Sequence, residues 1–167
     1  MELIETVELA SSASSITFSS IPQTYTDLVL KLSLRGTDSG TGGGIVRFNT
    51  GGTYSTRRLL GSGSSAFSDT GADNFLVNSS GLTANTFANA SVYIPNYRES
   101  SQKSFSSDSV QENNATSAFQ MLAANLWSET SAITEISIEM FAGNFVQYSS
   151  ASLYGITAGS DGTTTVS

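Results

Sequence analysis

Four leucines at alternate positions set the terms for this chain. In the run from Asp27 to Arg35, Leu28, Leu30, Leu32 and Leu34 fall on one side, while Asp27, Lys31, Ser33 and Arg35 fall on the other together with Val29. Side chains of an extended backbone point alternately to its two faces, so this pattern reads as a half-buried antiparallel strand. The same period recurs along the chain. Residues 15–19 put Ile16 with Phe18, 45–49 put Val46 with Phe48, and 74–78 put Phe75 with Val77. Residues 87–94 set Ala88, Ala90, Val92 and Ile94 against Asn89, Ser91 and Tyr93, and residues 134–142 set Ile136, Ile138 and Met140 against Glu135, Ser137 and Glu139. Residues 2–9 read as a strand with Leu3, Val7 and Leu9 on one side, and residues 150–156 close the series with Leu153, Tyr154 and Ile156.

Turn signals separate these runs. Residues 36–44 form a Gly/Ser/Thr loop, Gly51-Gly52 reads as a hairpin turn, and residues 61–73 read as a long polar loop. Pro22 and Pro95 follow apolar pairs, where they end strands without removing a central ladder bond. Residues 118–127 are ambiguous. Ser117 and Gln120 have capping-box spacing, and Phe119, Leu122, Ala123 and Leu126 fit a helix, yet Phe119, Met121 and Ala123 also share a strand face. A strand leaves a short connection to the next run and is the preferred reading. The expected fold is all-β, an antiparallel β-sandwich of roughly eight to ten strands in one domain over residues 1–156. Residues 1–9 form a strand or arm, and residues 157–167 form a polar tail that needs its own domain or a partner to order it.

Composition decides between this sandwich and disorder. The 167 residues include 31 Ser and 19 Thr, but Leu, Ile, Val and Phe still make up about 23% of the chain, enough for a core. With neither His nor Cys, the chain has no imidazole base, no thiol chemistry and no zinc finger. A net charge of -7 argues against nucleic acid or an anionic membrane as partner of the whole chain. Met1-Glu2-Leu3-Ile4-Glu5 has no basic leader, and no apolar run reaches membrane-spanning length, so a soluble protein made in the cytosol is expected. The glycosylation-type triplets starting at Asn78, Asn89 and Asn114 are what a Ser/Thr-rich chain produces by chance.

No segment carries a catalytic signature. Residues 61–66 match the loose dinucleotide pattern, but no helix start follows, so they read as a surface loop. Asp69 and Asp73 offer two oxygens to a calcium ion that generally needs six to eight, and an Asx turn accounts for them. Glu135 and Glu139 share a strand face and read as solvated rather than as a glycosidase pair. The serines lack both a nucleophile elbow and a histidine. The chain is therefore expected not to be an enzyme and to need no cofactor or metal. Five of the seven basic residues, Arg47, Arg57, Arg58, Arg98 and Lys103, lie between 47 and 103, next to Tyr54 and Tyr97. Tyr and Arg are favoured interface anchors, which makes Tyr54, Arg57, Arg58, Tyr97, Arg98 and Lys103 candidate partner contacts. Leu3 and Ile4 of the N-terminal segment join them as residues that can add a strand to a neighbour. Trp127 reads as core rather than as a sugar platform.

Several stretches together resemble a group of virion structural proteins of tailed bacteriophages, especially marine and cyanobacterial phages. They are Ile16-Thr17-Phe18, residues 21–28 (Ile-Pro-Gln-Thr-Tyr-Thr-Asp-Leu), Arg47-Phe48-Asn49, Tyr54-Ser55, residues 93–97 (Tyr-Ile-Pro-Asn-Tyr), residues 112–116, Ala132-Ile133-Thr134 and the closing Ala151-Ser152-Leu153-Tyr154-Gly155-Ile156. The resemblance covers roughly residues 1–156. It implies a jelly-roll domain of the head decoration, or cement, type that binds the major capsid protein on the outer surface of the phage head and stabilises the shell. Related sequences in tail and fibre contexts imply an alternative, an adhesin module binding host glycan through an exposed Trp127, Tyr97 or Tyr54. The local three-fold points of a capsid lattice make a homotrimer the expected assembly.

Overall fold

The computed structural model describes residues 1–40, 42–114 and 118–158. Residues 159–167, most of the expected tail, and Ser117 of the capping-box reading lie outside them. Twelve strands follow in order: β1 (Glu2–Glu8), β2 (Ser15–Phe18), β3 (Asp27–Leu34), β4 (Gly42–Phe48), β5 (Tyr54–Gly61), β6 (Ala66–Asp69), β7 (Phe75–Val77), β8 (Ala88–Ile94), β9 (Lys103–Gln111), β10 (Phe119–Trp127), β11 (Ile136–Met140) and β12 (Ser150–Ile156). They build two antiparallel sheets packed as a β-sandwich. The larger has the order β1-β12-β3-β8-β9-β10-β5-β6 and the smaller β2-β11-β4-β7. The ambiguous segment at 118–127 is a strand, as preferred.

The leucine run is the centre of the core. Leu28, Leu30, Leu32 and Leu34 of β3 are all at most 2% exposed and pack in one cluster with Ile16, Phe18, Val46, Phe48, Ile136 and Ile138 of the small sheet. Each such side chain contributes about 1.5–3 kcal/mol by leaving water. Arg35, placed by alternation on the outer side, is buried instead. It lies past the end of β3, where its guanidinium donates to the carbonyls of Leu82, Thr83 and Thr86.

Four sequence expectations change, each for a local reason. Gly42, Gly43 and Gly44 are not loop but the first half of β4. A Cβ on Gly44 would sit in the ring of Phe75 on the neighbouring strand β7, so this glycine lets a phenylalanine lie against backbone, while a Cβ on Gly42 would meet the Val77 carbonyl and one on Gly43 the Asp73 side chain. In β1 the pairing with β12 shifts between Leu3 and Glu5, and this bulge turns Ile4 inward beside Val7 while Leu3 is 53% exposed. The polar loop at 61–73 contains strand β6. Finally, β5 and β9 were not visible as strands.

The last case explains a set of buried polar residues. The inward side of β9 carries Lys103, Phe105, Ser107, Ser109 and Gln111, mostly hydroxyls and amides. Strand β7 is an edge of the small sheet, so one side of its backbone lacks a neighbouring strand. Side chains of β9 take that place. Ser109 Oγ accepts from Leu76 N at 3.0 Å, Gln111 Nε2 donates to Val77 O at 2.6 Å, and Ser107 Oγ donates to Asn74 O. Buried polar groups are retained because each meets an otherwise unpaired backbone group.

Candidate functional site

The sequence grouped Tyr54, Arg57 and Arg58 together, and Tyr97, Arg98 and Lys103 together. Strand geometry divides both groups. Arg57 and Arg58 are successive residues of β5 and therefore face opposite ways. Arg58 turns inward, where Nε and Nη2 hold both oxygens of Asp69 at 2.7 Å and Nη1 reaches Asp73 at 2.5 Å. The Arg58 hydrogen bonds hold the Asp69 carboxyl below its ordinary range. Asp69 and Asp73 thus close around a guanidinium, which occupies the oxygens that a calcium ion would need. Arg57 points outward from the sheet, exposed, and forms no ion pair among the described residues.

Tyr97 and Lys103 are interior. Tyr97 is 0% exposed and its hydroxyl donates to the Pro22 carbonyl. Lys103 Nζ donates to the carbonyls of Glu99 at 2.6 Å, Ser131 at 2.7 Å and Thr130 at 3.2 Å, and lies 5.6 Å from the centre of the Trp127 ring. Burial pushes the Lys103 amine below its ordinary pKa. Trp127 is core, with its indole N–H on Gly51 O at 3.0 Å and its ring edge-on to Phe48. These side chains fix loop ends and are not available as surface anchors. Arg98 remains exposed, 3.5 Å from Glu99. Tyr54 is half-buried under Arg47, whose guanidinium lies 5.0 Å from its ring centre. Leu3 is exposed on edge strand β1, and Ile4 packs against the core.

The remaining chemical candidates dissolve in the same way. Residues 61–66 make the β5–β6 hairpin turn, closed by Ser62 N on Ser65 O with Gly63 at φ +81°, and no helix follows. Glu135 and Glu139 are four residues apart along an extended segment, about 13 Å between backbones. Glu139 accepts from Ser137 Oγ at 3.0 Å. Among the described residues no group of three or more acidic side chains gathers in a metal-binding arrangement.

What the fold does assemble is a shallow groove of about 570 Å³ across the outer face of the large sheet. Its floor is Leu59 of β5 with Leu122 and Ala124 of β10, and Tyr93 of β8 forms one wall. Leu59 and Leu122 sit directly opposite each other in the ladder and are 52% and 48% exposed. Arg57 and Asp108 flank this floor from β5 and β9. The Tyr93 hydroxyl donates to Asp27 at 2.9 Å, which together with burial raises its pKa and holds the ring in place. Of this face the sequence singled out Arg57 alone. Tyr93, Leu59, Leu122 and Asp108 come from four strands, and nothing in their spacing announces that they meet. No protein-family model matches the chain, and no curated protein matches it.

Proposed function

We propose that this chain is a non-enzymatic structural protein of a tailed-phage virion, a head decoration protein that binds the major capsid protein and copies of itself. Strand order is the observation that carries the reading. With the β8–β9–β10 meander counted as one unit between β7 and β11, and β2 counted as the first, the small sheet runs first, eighth, third, sixth. The large sheet then runs second, seventh, fourth, fifth, with β12 and β1 added beyond β3. That is the order of a jelly roll, the architecture implied by the resemblance of residues 1–156 to virion proteins. An adhesive role suits the shallow, mainly apolar groove on the outer face of the large sheet. Edge strand β1 supports strand addition to a capsid neighbour, with Leu3 as its exposed apolar residue.

The test is binding to isolated capsids that lack the protein. It is expected to add at a fixed copy number, as trimers at local three-fold points, and to raise the temperature at which the shell ruptures. Electron microscopy of the virion that finds it only on the tail, or capsids equally stable without it, rejects the reading. The glycan-adhesin alternative draws its support from a residue outside its original set, since Trp127 and Tyr97 are buried. Tyr93, 41% exposed in the wall of the groove that Arg57 and Asp108 also line, is the aromatic that a sugar ring would stack on. A glycan array with the purified protein tests that reading directly.

A further inference from the structure

The outer face of the large sheet carries one charge of each sign on the strands either side of β10. Strand β10 is the middle one of five, with β9 and β8 on one side and β5 and β6 on the other. Every outward position of these five strands is uncharged except two, Asp108 on β9 and Arg57 on β5. The two charges are opposite in sign and flank β10 one strand away on either side. Asp108 is level with Leu122, and Arg57 is level with Ala124, so they are offset by one row along the strands. In a chain of net charge -7, these five strands carry no net charge outward and have apolar side chains at their centre, with Lys31 of the adjoining β3 donating to Ser91 at 3.0 Å along one edge.

We propose that two copies of this chain pack face to face through this surface, related by a two-fold axis that runs along β10. Such an axis lays β10 over β10 and carries β5 of each copy over β9 of the other. Arg57 of one copy then faces the β9 row next to Asp108 of its partner, and the reverse pair forms at the same time. The offset of one row, about 7 Å, is within reach of a long side chain. Leu122 of the two copies meets at the axis, and Leu59, level with Leu122 as Asp108 is, lies over the Asp108 position of the partner's β9. Opposite charges on the strands either side of β10 suit an isologous contact, which uses both of them twice.

The size of the face sets the strength. Five strands at about 4.8 Å spacing and about six residues of length give roughly 500 Å² per copy. Roughly 1,000 Å² in total lies below the range of stable interfaces, so the dimer forms weakly, with a dissociation constant of order micromolar or above. The inference rests on reading this face as adhesive and does not depend on the virion assignment.

Sedimentation velocity over about 5 to 500 µM protein tests it. The weight-average mass is expected to rise with concentration from 17.5 kDa toward twice that value. Arg57→Glu and Asp108→Arg should each weaken association at least tenfold. The double variant, which restores opposite charges across the axis, should recover wild-type association within about threefold. Both side chains are exposed, so circular dichroism is expected to show all variants folded. A monomer throughout the range overturns the inference, as do a trimer indifferent to these substitutions, single variants that associate normally, or a double variant that fails to recover. A trimer of that kind would leave the decoration reading standing, while failure to bind capsids by a protein that dimerises as described would remove that reading alone.

Discussion

Lys103 and Arg57 are both cations of the large sheet, yet they stand in opposite situations. Lys103 is buried, with three backbone carbonyls around its ammonium group and Trp127 beside it. Arg57 stands in solvent beyond two leucines, with a single bond to the carbonyl of Thr56 at 3.0 Å. A cation fully satisfied inside the domain has its interactions used up in holding loops together. A cation left on a mostly uncharged face keeps its capacity for something outside. The difference says which parts of the molecule can be altered without unfolding it, and it can be attacked from either side.

The largest effect is expected at Lys103. Lys103→Met keeps most of the packing against Trp127 but takes the donor from the carbonyls of Thr130 and Ser131, while the Glu99 carbonyl keeps the Ser101 N–H at 2.9 Å. Unsatisfied buried groups and broken buried charge networks cost about 2–4 kcal/mol, so thermal unfolding should begin roughly 5–15 °C lower. A change below about 2 °C would mean that water reaches those carbonyls and that the interior description is wrong. Tyr97→Phe follows at about 1–2 kcal/mol, because the Pro22 carbonyl loses its donor while the ring stays in place. Its check is the chemical denaturation midpoint at unchanged slope.

Arg58 lies between the two extremes, with its side chain 14% exposed and its partner Asp69 40% exposed. Arg58→Gln should lower the melting temperature by about 2–4 °C near neutral pH. The dependence on pH has a definite sign. The Asp69 carboxyl is held low by Arg58, so its contribution is complete above the ordinary carboxylate range and fades as pH falls through the lowered folded-state value. The gap between wild type and variant should therefore be constant from pH 6 to 8 and close below about pH 4. A gap that widens in acid would show that Arg58 acts through something other than this ion pair.

Much of the fold was legible because one side of many strands is apolar. Leu28 to Leu34 and the alternation in 87–94 fixed β3 and β8 with their correct inner faces. Where the buried side is polar, the signal disappears. Ser107, Ser109 and Gln111 face inward to bond the edge of β7, and no reading of β9 alone could know that β7 needs them. Thr56 and Arg58 hid β5 for the same reason. The glycines of β4 read as loop because what they make room for lies far along the chain: the Val77 carbonyl at Gly42, Asp73 at Gly43 and the Phe75 ring at Gly44. The candidate site suffered most, because residue type alone cannot separate a buried Tyr97 from an exposed Tyr93 four positions earlier. That distinction is made by the strand parity of β8 and by the turn after Pro95.

The smallest effect is the sharpest test of the comparison. Leu59→Ser and Leu122→Ser remove the largest apolar groups from the outer face, yet both side chains are about half exposed and each touches mainly its cross-strand neighbour. Substitutions of this kind usually change stability by no more than about 0.5–1 kcal/mol, so each variant should melt within about 2–4 °C of wild type. If the face is adhesive, the same variants should lose self-association almost completely, because the two leucines supply most of the apolar area at its centre. Stability and association would then separate by position: interior cations that cost folding when removed, and an outer face that costs only contact. A large loss of stability on Leu122→Ser would instead mean that this face is already packed by the domain's own chain, and the division between the two regions would collapse.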